Sequence, residues 1–318
     1  MSQLICTAIV LLLLPAAGYG QGPSIEKQGV IACDLVEATP IVFEDTLYRY
    51  EYVRERYAHN ELGKRYFRFV NMETGSATPP FAENYALGSA YAEDGVMYVY
   101  GVPIWGADRI DVFTSTDLEQ WARQTALHLP GWGIYNNSVC KTPGGYTMAF
   151  EVGEPGDIVG KRFTMFFAHS NNRLDWVLGA LDKVFTKEKY SACPALRYYD
   201  GWYYMVYLER LEQWYFAPYV VRSRDLVTWQ ESPLNPIFEP GPADKRIANP
   251  DLTDEERAHI AGAKNINNSD VDFCTYEGTT YISYSWGSQR GTEFLAQATY
   301  DGSEQQLLEA MFPERGGA

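Results

Sequence analysis

The chain has 318 residues, 46% of them hydrophobic and 21% charged, which suits one large domain or two small ones and excludes a disordered chain. Its 26 Lys and Arg against 41 Asp and Glu leave a net charge of −15, which argues against a general nucleic-acid binder, since that task needs a basic surface to displace phosphate counterions. Aromatic residues make up 15%, which favours strands, and long polar helical stretches are rare, so an all-helical fold is disfavoured.

In chain order, Ile5 to Pro15 comes first and is almost wholly apolar. Ala16, Ala17, Gly18 and Gly20 follow. This reads as a secretory signal over residues 1–20, cleaved near Gly20-Gln21, although no Lys or Arg precedes the apolar run. The alternative is a buried N-terminal strand. The run is too short to span a bilayer comfortably, and no other stretch approaches membrane length, so no membrane span is expected. The expected location is secreted or periplasmic. Export leaves Cys33, Cys140, Cys193 and Cys274, whose spacing matches no zinc pattern. Three of them lie in apolar strand-like runs, so buried free thiols are the expectation.

From residue 21 to 318 one repeat runs through the chain, read as a single domain. Its unit is a short strand, a polar turn and an aromatic strand. The turns are Glu44-Asp45, Asp94-Gly95, Gly144-Gly145, Asp200-Gly201 and Glu277-Gly278, and such pairs between strand-like runs mark hairpins. Downstream of the middle three units lies a second pattern, Ser115-Thr116-Asp117-Leu118-Glu119-Gln120-Trp121, Ser170 to Trp176, and Ser223-Arg224-Asp225-Leu226-Val227-Thr228-Trp229. Ser and Asp there are expected to bond backbone amides of a tight turn, with Leu and Trp packing on the sheet. Tyr66–Val70 and Phe294–Tyr300 supply third strands to the first and last units, and Gly29–Ala32 is available as an outer strand for the last. Five such units predict an all-β, five-bladed β-propeller. A proline-rich insertion at about 231–267 separates blades four and five. In it, Thr253 to Glu256 reads as a capping box opening a short helix through Ala261. The insertion either shapes a site or is a solvated excursion.

A propeller gathers chemistry on its innermost strands. Those offer Glu37 and Thr39, then Ser89, then Asn136, Asn137 and Ser138, then Ser191 and Cys193, then Asn267 to Asp272. Strand alternation puts Asp270 and Asp272 on one face. Glu51, Glu151 and Glu209 end second strands. Converging carboxylates raise one another's pKa, which lets an acid and a base coexist near neutrality. Glu37, Asp270, Asp272, Glu151 and Glu209 are therefore the candidate catalytic residues. Trp132, Tyr135, Asn136, Asn137, Asn268, Trp286 and Arg290 are the candidate substrate contacts. The histidines at 59, 128, 169 and 259 have no metal-ligand spacing, and neither a metal nor a cofactor is expected. Arg54, Arg56, Lys64, Arg65 and Arg68 form a basic cluster that reads as a solvated face, with attraction of an anionic glycan as the alternative.

The Asp-Gly hairpins and the Ser-to-Trp turns resemble those of the five-bladed propeller glycoside hydrolases, the group of families 32, 43, 62, 68 and 117, from about Val36 to Tyr300. The resemblance implies hydrolysis of a glycosidic bond by inner-strand carboxylates. The chain departs from family 43 where its carboxylates stand. Thr39 precedes Pro40 on blade one, Gly88-Ser89-Ala90 occupies blade two, and Asn136-Asn137-Ser138 occupies blade three. The acidic weight lies on blade five instead. The function expected is an exported glycoside hydrolase acting on a poly- or oligosaccharide at a chain end. The alternatives are a non-catalytic glycan-binding propeller and, more weakly, a polysaccharide lyase using a Tyr, His or Lys base.

Overall fold

The repeated turn pairs do close hairpins, in a computed structural model that describes residues 22–314. The expected signal segment lies outside the described residues. Asp45, Asp94, Asp200 and Glu277 all adopt positive φ in these turns, a conformation short polar side chains and glycine tolerate. Strands β1 to β19 run in chain order from Glu26–Cys33 (β1) to Phe294–Asp301 (β19) and form five antiparallel sheets. The innermost strands are β2 (Val36–Phe43), β5 (Ala86–Glu93), β9 (Gly133–Thr142), β13 (Ser191–Tyr199) and β17 (Asn267–Tyr276). The expected outer strand is present, for β1 pairs with β19 and leaves blade five four-stranded. The first and last described strands thus pair in one sheet, which covers an edge that would otherwise be exposed.

The Ser-to-Trp segments are the outer turns of blades two, three and four. Ser115 Oγ accepts from the amides of Asp117 and Leu118, and Asp117 Oδ1 accepts from Glu119 and Gln120 at 2.9 and 2.8 Å. Ser223 and Asp225 repeat this, and in the degenerate copy Asn172 Oδ1 takes the Asp part. Each closing tryptophan reaches the preceding blade. Trp121 stacks on Phe81 with ring centroids 3.8 Å apart, Trp176 meets Tyr100 edge-on, and Trp229 stacks on Phe167. The turn therefore also joins blades, which bury their faces against one another.

The insertion packs along the outside of blade five. Ile247 bridges to Val30 of β1, and Phe238 stacks on Tyr284. The capping box forms as expected, with Thr253 and Glu256 opening a helix over Asp254–Gly262, and Glu256 also pairs with His59 of blade one. The insertion lines no part of the axial cavity. Among the described residues Cys33, Cys140, Cys193 and Cys274 are free thiols.

Candidate active site

Four of the five inner strands carry a β-bulge at matched positions, and each bulge holds a residue in the left-handed region. These are Glu37 (φ 56°), Leu87 (φ 58°), Cys193 (φ 50°) and Asp270 (φ 51°), each at a register shift against the second strand. On blade three the shift falls opposite Asn136, between the pairs Asn137–Phe150 and Ile134–Val152. A left-handed non-glycine residue costs about 1–3 kcal/mol, so four in one ring is a substantial local cost. The bulges turn these side chains toward the axis, and all five residues line one cavity. Gly88, after Leu87, could not be replaced, since a Cβ there would lie 2.1 Å from the Tyr100 carbonyl oxygen.

The cavity measures about 560 Å³, within the ~300–1,000 Å³ usual for small-molecule sites. Its floor is acidic. Asn136 Nδ2 lies 3.1 Å from Glu151 Oε2, and 3.4 Å from both Glu37 Oε1 and Cys193 Sγ. Glu151 Oε2 also accepts the Cys193 amide at 3.0 Å. Among the described residues, Glu37 Oε2 is buried without a hydrogen-bond partner. Ser269 Oγ donates to Asp270. Glu293 stands on the same wall, where one oxygen accepts from the Ser288 and Gln289 amides and the other is unpartnered. No Lys or Arg forms an ion pair with Glu37, Glu151, Asp270 or Glu293 among the described residues.

Burial without a cation favours the protonated acids. Desolvation, followed by repulsion from Asp270, pushes Glu37 up to about 8. Desolvation pushes Glu151 up to about 7 against its amide donors, and Glu293 also to about 7. The Cys193 thiol is raised by burial and then by Asp270 and Glu151, so it stays protonated. Glu37, Cys193 and Asp270 place one ligand atom each within 4.8 Å of one another, the one such group among the described residues, but a protonated thiol is a poor metal ligand.

Of the expected catalytic residues, the fold brings Glu37, Glu151 and Asp270 together and takes two elsewhere. Asp272 does not join Asp270, because the bulge at Asp270 interrupts the alternation assumed from sequence. It sits deeper along the axis, 2.8 Å from Arg197 Nη2, and accepts from Thr39 Oγ1. Glu209 lies outside the cavity, bound by Lys189 and Tyr207. Glu51, at the position in blade one that Glu151 holds in blade three, is clamped between Arg49 and Arg68.

Among the expected substrate contacts, Asn136 and Tyr135 line the cavity. Asn137 lies in its narrow continuation and accepts from Ser89 Oγ. Trp132 is half-buried and packs on Phe166 of its own blade, Trp286 is fully buried against Phe294, and buried Asn268 accepts from Lys27. None of the three lines the cavity, and Trp286 and Asn268 belong to the interior, since aromatic runs fill both faces of packed blades. Arg290 is exposed and covers Trp214.

Sequence reasoning missed Glu293, which has no repeat position to mark it. It also missed the aromatic rim. Trp105, Phe163 and Tyr190 line the mouth, and Trp105 is 53% exposed with its edge toward Tyr135. Arg54, Arg56 and Arg65, expected on a solvated face, form one cavity wall.

No family model matches the sequence, and no curated protein matches it. Solved structures do. A glycoside hydrolase aligns with TM-score 0.61 at 12% identity over 93% of this chain and 96% of its own. A thermostable family-43 glycoside hydrolase aligns with TM-score 0.54 at 10% identity over 86% and 92%. The Cellvibrio cellulosa α-L-arabinanase, complexed with arabinohexaose, aligns with TM-score 0.51 at 11% identity over 89% and 99%. The chain shares its five-bladed propeller with these proteins.

Proposed function

We propose that the protein is an exported glycoside hydrolase that cleaves a poly- or oligosaccharide at a chain end. The observation that carries this reading is the pair of desolvated acids Glu37 and Glu151 on the Asn136 amide, with Asp270 within 4.8 Å of Glu37 and no ion-paired cation on any of the three among the described residues. The shared fold with glycoside hydrolases, one of them bound to an oligosaccharide, supports a carbohydrate substrate. A cavity that narrows sharply below Asn136 suits a chain end better than a strand passing through.

In this mechanism the terminal sugar enters past Trp105, whose exposed ring covers its apolar face. Glu37 is the general acid. Its pKa near 8 keeps a proton at neutral pH, and its unpartnered oxygen can deliver that proton to the glycosidic oxygen. Asp270 is the carboxylate that meets the positive charge developing at the anomeric carbon. Glu151, held by two N–H donors, sets the field and keeps Asn136 oriented.

The test is release of sugar from a panel of arabino-, xylo- and uronate-containing oligosaccharides by wild type, Glu37→Gln and Asp270→Asn. General acid catalysis contributes typically ~10²–10⁴-fold, so Glu37→Gln should lose turnover by that order while still folding. Full-rate cleavage by both variants would overturn the site. Binding without cleavage by wild type would favour the glycan-binding propeller.

A further inference from the structure

The acidic floor faces a basic wall. Strand β3 (Thr46–Val53) ends at the cavity, and Arg54 follows it directly. The chain then loops out and returns at Arg65, just before β4 (Tyr66–Asn71). Arg54, Arg56 and Arg65 all line the cavity. Within the loop between them, one side chain bridges both ends. Asn60 Nδ2 donates to the carbonyls of Arg54 and Lys64, both at 2.8 Å, and its Oδ1 accepts from the Leu62 and Gly63 amides. The backbones bearing the two arginines are thus tied across the loop.

These guanidinium groups are poorly satisfied by the protein. Among the described residues no hydrogen-bond partner reaches the buried Arg54 Nε, and the buried Arg65 Nε has only its ion contact with Glu55 in place of a hydrogen bond. The nearest acid to Arg54 is Asp34, at 4.0 Å, and Asp34 is already engaged by Arg56 at 3.2 Å. Arg65 has a loose contact of 3.3 Å with Glu55, which is itself 61% exposed. Arg68, three residues further on, is the contrast, since it is bound at 2.7 Å to Glu51 and covered by Tyr57. A guanidinium carries five N–H donors in a planar fork that matches a carboxylate, and a buried donor left open is a vacancy a ligand can fill.

We propose that Arg54 and Arg65 bind the carboxylate of an acidic sugar, so that the substrate is a uronate-containing glycan. This rests on the hydrolase reading for turnover but not for recognition. The floor does not forbid such a ligand, because burial holds Glu37 mostly protonated at neutral pH and leaves Glu151 and Glu293 about half protonated there. The anionic group would sit on the blade-one wall and present its ring to the floor and to Trp105.

The experiment measures binding rather than turnover, by ligand-observed NMR titration of the full chain. The probes are glucuronate against glucose and galacturonate against galactose. One uronate should bind at least tenfold more tightly than its neutral match, and added salt should reduce the difference. Arg54→Gln and, separately, Arg65→Gln should abolish that preference while leaving affinity for the neutral sugar unchanged, and two variants guard against one that fails to fold. If neither uronate is preferred over its neutral match, or if both folded variants keep the preference, the proposal fails. A protein that prefers uronates yet cleaves nothing retains this site and loses the hydrolase reading. Cleavage of neutral glycans unaffected by either substitution does the reverse.

Discussion

Asp270 and Asp272 lie two residues apart on one strand and serve opposite ends of the axial channel. Asp270 opens on the upper cavity with Glu37, Glu151 and Glu293, where no cation forms an ion pair with them. Asp272 lies at the lower mouth, about 270 Å³, where Arg197 holds it at 2.8 Å and Glu304 at 3.1 Å in one closed network. Blades one and three repeat the contrast. Glu51 is buried between Arg49 and Arg68, while Glu151 is buried among amides. Pairing decides what a buried carboxylate does. Burial works against the ionised form of Glu51, but Arg49 and Arg68 overcome it and hold its pKa below the ordinary range, which makes it a structural anion. Without a partner, burial leaves a proton near neutrality that chemistry can use.

The largest expected effect breaks that comparison by exchange. Glu37→Gln should reduce turnover by ~10²–10⁴-fold with little loss of fold, whereas Glu51→Gln should leave turnover per folded molecule intact. Parallel kinetics and circular dichroism decide. Next, Arg197→Met should destabilise the protein by roughly 3–5 kcal/mol in denaturant unfolding, because it strands Asp272 and Glu304 without their cation, and should spare activity in the folded fraction.

A subtler effect lies in the pH dependence of stability. The folded pKa of Glu37 is raised above its ordinary 4.5 to about 8. Its contribution is therefore complete below about pH 4.5 and is lost as pH rises through about 8. Glu51 has a depressed folded pKa, so its contribution is present above the ordinary value and lost as pH falls. Melting curves should show Glu37→Gln gaining on wild type as pH rises, and Glu51→Gln losing least at low pH. The opposite slopes would sink the distinction. The smallest effect is in the turns. Ser115→Ala removes the acceptor for two amides and should cost about 1 kcal/mol in chemical denaturation, without touching the cavity.

Much of this architecture is legible in the sequence. Turn pairs and Ser-to-Trp segments use local hydrogen bonds, so their residue types announce them. The closing strand at Gly29–Ala32 follows from counting strands. The site is less legible because it depends on broken periodicity. Alternation along β17 puts Asp270 with Asp272, and only the left-handed backbone at Asp270 separates them. Trp132 and Trp286 read as stacking surfaces because composition does not say which face of a doubly packed blade is closed. Arg54 and Arg68 look alike in a basic run, yet one lines the cavity and the other neutralises Glu51.

The central claim is that an unpaired, desolvated carboxyl at the hub holds a proton near neutral pH. Carbon-13 NMR titration of the side-chain carboxyls, in protein labelled at glutamate, tests it directly. A resonance titrating near pH 8, absent from the Glu37→Gln spectrum, is the predicted result. A spectrum in which every glutamate has ionised by about pH 5, as free side chains do, would contradict it.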